Sequence, residues 1–159
     1  MSDNLSQNIK AYQEVVYEKS PVVEAYFELI HFVRKLRTDF TKTTKAYKVG
    51  NVSEGYMDFT YFPIFNEELR EKKLKYGIVL NHQLMQFELW LMAHNENGKT
   101  KYWNQLKNTP WNEEKTEEMK YSVLEAVLEV EPDFNDLDRL SQTIINQCLL
   151  EMEAINPYL

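Results

Sequence analysis

Cysteine is almost missing from this chain. Cys148 is the single one among 159 residues, which excludes an internal disulfide and any cysteine cluster for metal. It sits in the run Gln147-Cys148-Leu149-Leu150 with no local His, Lys or Arg to stabilise a thiolate, and so reads as a buried, inert thiol in a reducing compartment. Glycine is scarce as well, with 4 residues in all. There is no Gly-rich phosphate loop, no Gly-x-Ser-x-Gly elbow and no His-Glu-x-x-His pair, and the sequence calls for no cofactor and no metal. With 5 Pro and no Pro/Gly/Ser tract, no linker, repeat or low-complexity segment divides the chain, and residues 1–159 are expected to form one domain. The stretch Met1 to Lys10 is polar, and no run approaches about 18 uninterrupted apolar residues. The expectation is a soluble cytoplasmic protein with no membrane association.

What is present suits an ordinary globular core. Apolar residues make up 43% of the chain, and 8 Phe, 10 Tyr and 3 Trp supply large side chains. The net charge of −7 is unevenly spread: residues 1–110 hold 15 Lys/Arg against 13 Asp/Glu, whereas 111–159 hold 3 against 12. The acidic last third argues against nucleic acid as a partner. Two basic clusters, Arg34 to Lys48 and Arg70 to Lys75, read as solvated surface and are the only places where charge alone would draw an anion.

Leu5, Ile9, Tyr12 and Val16 step by 4, 3 and 4, one stripe of a helix. Ser20-Pro21 then opens a second, longer helix, with Ser20 as N-cap and Pro21 at the first helical position, where its missing N–H costs nothing. Val23, Phe27, Ile30, Val33, Leu36 and Phe40 carry its apolar face. The aromatic run Tyr56 to Phe62 reads as a strand closed by Pro63, and Asn66-Glu67-Glu68-Leu69 as a capped helical turn. Leu74 to His82 and Phe87 to His94 alternate with period two and form a hairpin. Gly98 to Leu106 reads as a short helix. In 121–131 strand alternation competes with a helical stripe, and the short run before Glu131-Pro132-Asp133 favours a strand. Asn135 is the expected cap of a last helix lined by Leu140, Ile144, Cys148 and Met152. The fold expected is α+β: an antiparallel three- to four-stranded meander with helices packed on it, in the order αα-βββ-α-β-α.

His31, His82 and His94 offer no metal pair, because His82 and His94 fall at opposite ends of the hairpin and His31 has only Glu28 nearby. Asp58 and Glu88 are acids inside expected strands, where a carboxylate is uncommon unless exposed or paired. The element order also resembles that of the nuclease superfamily that holds magnesium with an Asp and a Glu-x-Lys pair. Glu88-Leu89-Trp90 carries Trp where that Lys should be, so the resemblance implies a metal-dependent hydrolase or a degenerate nuclease-like enzyme with Asp58 and Glu88 as its catalytic candidates. The aromatics Tyr56, Tyr61, Tyr76 and Trp90 are candidates for a ligand pocket, with a homodimer or a protein partner as the other ways to cover a second sheet face.

Taken together, Gly55-Tyr56-Met57-Asp58-Phe59-Thr60-Tyr61-Phe62, the run Leu74 to His82, Phe87-Glu88-Leu89-Trp90-Leu91, Tyr102-Trp103 and Pro132-Asp133-Phe134 resemble an uncharacterised family of small bacterial proteins, a domain of unknown function. The resemblance implies a bacterial cytosolic origin and brings with it no activity, cofactor or catalytic residue. The function expected is that of a binding module for a small molecule or a protein partner, with the hydrolase as the alternative.

Overall fold

The computed structural model describes residues 4–159; the first three residues of the polar Met1–Lys10 stretch lie outside it. Two helices come first, α1 (Leu5–Val15) and α2 (Pro21–Thr43). Ser20 caps α2 by accepting a hydrogen bond from the Val23 N–H, and Pro21 occupies the first turn as expected. Ile30, Phe32, Val33, Leu36 and Phe40 form the buried stripe of α2, at the 3- and 4-residue spacing that puts side chains on one helix face.

The sheet follows. Its strands are β1 (Lys48–Val49), β2 (Phe59–Phe65), β3 (Leu74–Asn81), β4 (Gln86–Ala93) and β5 (Leu124–Glu129), all antiparallel and ordered in space as in sequence. A short helix, α3 (Glu67–Glu71), joins β2 to β3, α4 (Glu96–Leu106) follows β4, and α5 (Leu137–Ile155) closes the chain with a final 3-10 turn. No helix among the described residues is long and apolar enough to cross a membrane.

The α+β class holds, with five strands instead of three or four. The added strand, β1, has two residues and hides in the polar basic stretch after α2. Gly50 anchors its end: the Gly50 N–H donates to the Pro63 carbonyl at 2.9 Å, and a Cβ on Gly50 would lie 2.4 Å from Pro63 Cγ. Pro63 does not close β2 but lies within it. In an antiparallel strand the N–H and C=O of a residue point to the same side, so the donor that Pro63 lacks is directed at the end of two-residue β1 and away from β3.

The start of β2 also differs from expectation. Gly55 and Met57 have φ of 71° and 65°, which breaks the extended conformation, so Tyr56 and Asp58 stand before the strand and not in it. The 121–131 stretch does contain a strand. The cap of α5 is Asp136, whose carboxylate accepts from the Arg139 N–H; Asn135 instead donates its own N–H to Asp133.

The helix-side face of the sheet carries the main core. Phe62 and Ile64 of β2, Tyr76, Ile78 and Leu80 of β3, Phe87, Leu89 and Leu91 of β4, and Leu124, Ala126 and Leu128 of β5 meet α2 and α5 there. Asp39 ties the two helices together, accepting from Lys35 at 2.9 Å and from Ser141 at 2.7 Å. The other face is the one with something left to explain.

Candidate ligand cleft on the second sheet face

The alternation that sends Phe87, Leu89 and Leu91 into the main core sends Glu88, Trp90 and Met92 to the opposite face. There Val79, Trp90 and Met92 form a second, smaller buried cluster, with Phe59 and Tyr61 packed against it. Gly77 makes room: a Cβ would approach Tyr61 Cδ2 to 3.2 Å and the flexible end of Met92 to 2.8 Å. Among the described residues no helix contributes to this cluster. The segment after α4 passes over one side of it, pinned by Asn112, which is fully buried and donates to the Val123 carbonyl at 2.8 Å. This brings Met119, Lys120 and Tyr121 over the β4–β5 side and leaves a cleft of about 620 Å³.

Glu88 lies at the cleft wall and is only 5% exposed. Three neutral N–H donors hold its carboxylate: Trp90 Nε1 at 2.8 Å, Asn81 Nδ2 at 3.0 Å and Gln86 Nε2 at 2.6 Å. No Lys or Arg forms an ion pair with it among the described residues. A buried carboxylate in a strand, expected to be exposed or paired, is instead solvated by amide and indole dipoles. Glu125 lies opposite Trp90 in the β4–β5 register and diagonal to Glu88 on the same face. It accepts from Ser122 Oγ at 2.6 Å. Burial pushes its carboxyl above the ordinary range and the nearby Glu88 charge adds to this, against the Ser122 hydrogen bond and Lys115. Trp90 and Tyr121 are nearly parallel, 13° apart in plane with centroids 6.3 Å apart, and Phe59 meets Trp90 edge-on at 4.9 Å. The Lys120 ammonium sits 5.0 Å from the Tyr121 ring centroid.

The residues singled out from sequence separate into two groups. Glu88 and Trp90 line the cleft together, and Tyr61 packs beside it in the small cluster. Tyr76 is on the other face, fully buried, with its hydroxyl donating to Asn156 Oδ1 at 2.8 Å; burial holds that phenol far above its ordinary range. Tyr56 is 95% exposed. Asp58 is exposed and serves its own turn: Oδ1 accepts from the Tyr56 and Phe59 N–H groups at 2.9 and 2.7 Å, and these hold its carboxyl below the ordinary range. The neighbouring His82 is drawn down by burial, opposed by Asp58, and its Nε2 lies 2.7 Å from Thr60 Oγ1. Phe59, Tyr121, Glu125, Asn81 and Gln86 were not singled out from sequence. The alternation of Leu124 to Glu129 carried a signal for Glu125, but the pairing of β5 with β4 did not show.

Among the described residues no group of three or more His, Cys, Asp or Glu side chains is arranged to hold a metal ion. Part of each basic cluster is engaged internally. Arg34 pairs with Glu54, Lys35 with Asp39 and Asp138, and Arg37 donates to the Gly50 carbonyl at 2.6 Å. In the second cluster Arg70 lies over the Phe65 ring and Lys72 meets Glu68.

These features define an α+β protein built on an antiparallel meander, packed by helices on one face and cleft on the other. The chain belongs to the family described as a domain of unknown function, DUF7000, whose profile matches residues 5–159. No curated protein and no solved structure matches it.

Proposed function

We propose that this chain is a binding module whose cleft on the second sheet face takes a small, flat organic molecule bearing a positive charge. The observation that carries this is the Glu88 carboxylate, buried beside Trp90 and balanced by neutral donors alone. Glu88 and the diagonally adjacent Glu125 put two carboxyl groups beside Trp90 in a cleft that Lys115 and Lys120 also line, so the attraction for a cation is local to the Trp90 end. The walls add to it: the faces of Trp90 and Tyr121 attract cations, as Lys120 above Tyr121 illustrates, and flat rings stack on them. A volume of about 620 Å³ falls within the range of small-molecule sites.

The test is calorimetric titration with tryptamine and benzamidine as cationic probes and indole-3-acetate as the anionic counterpart. Saturable binding of the cationic probes is expected, weakened about tenfold or more, or about 1.4 kcal/mol, by Glu88→Gln and by Trp90→Leu. No saturation by any cationic probe, or binding indifferent to both substitutions, would overturn the reading.

The hydrolase alternative with Asp58 and Glu88 as catalytic groups has less support, because Asp58 Oδ1 is occupied by its own turn and Glu88 by its three donors. Cleavage of DNA or RNA with magnesium or manganese, lost in both Asp58→Ala and Glu88→Ala, would reinstate it. The bacterial cytosol belongs to the same proposal, carried by the sequence resemblance alone.

A further inference from the structure

The first helix presents a surface that the fold leaves unused. Helix α1 has no buried residue, yet its apolar positions are ordered. Leu5, Ile9, Tyr12 and Val16 fall within one narrow stripe at 100° per residue, and all four are exposed. Beyond the turn at Val16 to Ser20, Val22, Val23 and Phe27 are exposed at the start of α2. These seven side chains are 40% to 62% exposed. An isolated helix of 11 residues is shorter than the about 12–15 that are marginal in water, and stability normally comes from packing an apolar face. Among the described residues, nothing in the chain buries any side chain of α1.

We infer that a second copy of this chain covers this surface, so that α1 and the first turns of α2 form an isologous dimer interface. Two observations favour a second copy. The first is area: leaving out Val22, which turns toward the groove of Met57 and His82, six half-exposed apolar side chains offer roughly 500 Å². A standard interface buries about 800 Å² per partner, of which about 65%, some 500 Å², is apolar in homodimers. The second is charge. Lys10 and Glu14, the only charged residues in α1, lie on the side away from the stripe, and its flanks carry Ser6, Asn8 and Gln13. Two α1 stripes related by a two-fold axis therefore meet without like-charge repulsion, and at the α2 end Lys19 stands between Glu18 and Glu24 in sequence. A membrane surface is the weaker fit, since a helix that lies on lipid has a polar face rich in Lys and Arg and this one has a single Lys. The surface is distinct from the cleft, and the inference stands or falls independently of the ligand proposed there.

The experiment is sedimentation velocity on the whole chain over micromolar concentrations, beside the double variant Ile9→Glu/Tyr12→Glu. Because these side chains make no buried contact within the chain, the variant keeps its fold, which near-ultraviolet circular dichroism verifies. The expected result is twice the mass of one chain for the natural sequence and a single-chain mass for the variant. Hydrogen exchange at residues 5–15 is expected to be slow in the natural sequence and at least tenfold faster in the variant. A natural sequence that sediments as a monomer throughout would overturn the inference. So would a dimer that survives the double substitution, which would move the interface elsewhere, or a monomer that floats with phosphatidylcholine or phosphatidylserine vesicles, which would make lipid the occupant.

Discussion

Glu88 is held in the interior by three neutral donors and, among the described residues, no ion pair, and the arrangement makes specific demands on substitution. Glu88→Ala leaves Trp90 Nε1, Asn81 Nδ2 and Gln86 Nε2 without their acceptor. The indole N–H is the one with least access to water, so a loss of about 2–3 kcal/mol is expected, against about 1 kcal/mol for Glu88→Gln, which retains one acceptor oxygen. Urea unfolding measures both, as a lower midpoint at unchanged slope. Equal costs would mean that the charge, and not the acceptor, matters to folding. Glu125 behaves in the opposite sense. Its carboxyl is raised in the folded state, chiefly by burial and next by Glu88. The folded state therefore favours the protonated form: the contribution to stability is fully present below the unfolded value of 4.5 and is lost as pH rises through the raised folded value. Glu125→Gln keeps an acceptor for Ser122 and removes the charge. Its melting temperature should exceed that of the natural sequence at pH 7, and the difference should vanish below the ordinary carboxylate range. A difference independent of pH would show that the effect is not electrostatic.

At the scale of elements, the helices and the β3–β4 hairpin were legible because their signals are local. Ser20-Pro21 marks the start of α2, and strict alternation marks both hairpin strands. What escaped depends on tertiary support. Strand β1 has no sequence signature, since two residues become a strand only because β2 offers a free edge. The start of β2 lay hidden in an aromatic run that gives no sign of the positive φ at Met57. Pro63 looked like a terminator because its tolerance depends on which side its missing donor faces. Gly50 is where this edge is most sensitive. Gly50→Ala sets a methyl against the rigid Pro63 ring and should cost about 1–3 kcal/mol. Faster hydrogen exchange confined to β1 and its partners in β2 is expected with it. An unchanged unfolding midpoint would show that β1 simply moves aside.

Over the whole molecule, the sheet divides two environments. The part of the cleft that was legible lies on one strand: Glu88 and Trp90 share a face by alternation alone. Grouping Tyr76 with them was not supported by geometry, because β3 and β4 are joined across residues 82–85, and the register that results pairs Tyr76 with Leu91 and Gly77 with Trp90. Parity within a strand can be read locally, but parity between strands depends on the turn. Glu125 and Tyr121 were further out of reach, separated from Trp90 by more than thirty residues and by all of α4. The two-sided sheet also partitions what variation can do. Along β4 the odd-numbered positions from 87 to 91 pack against the helices and the even-numbered ones build the opposite face, so a change at every second residue of the strand reshapes the cleft wall while the helix-side packing stays untouched.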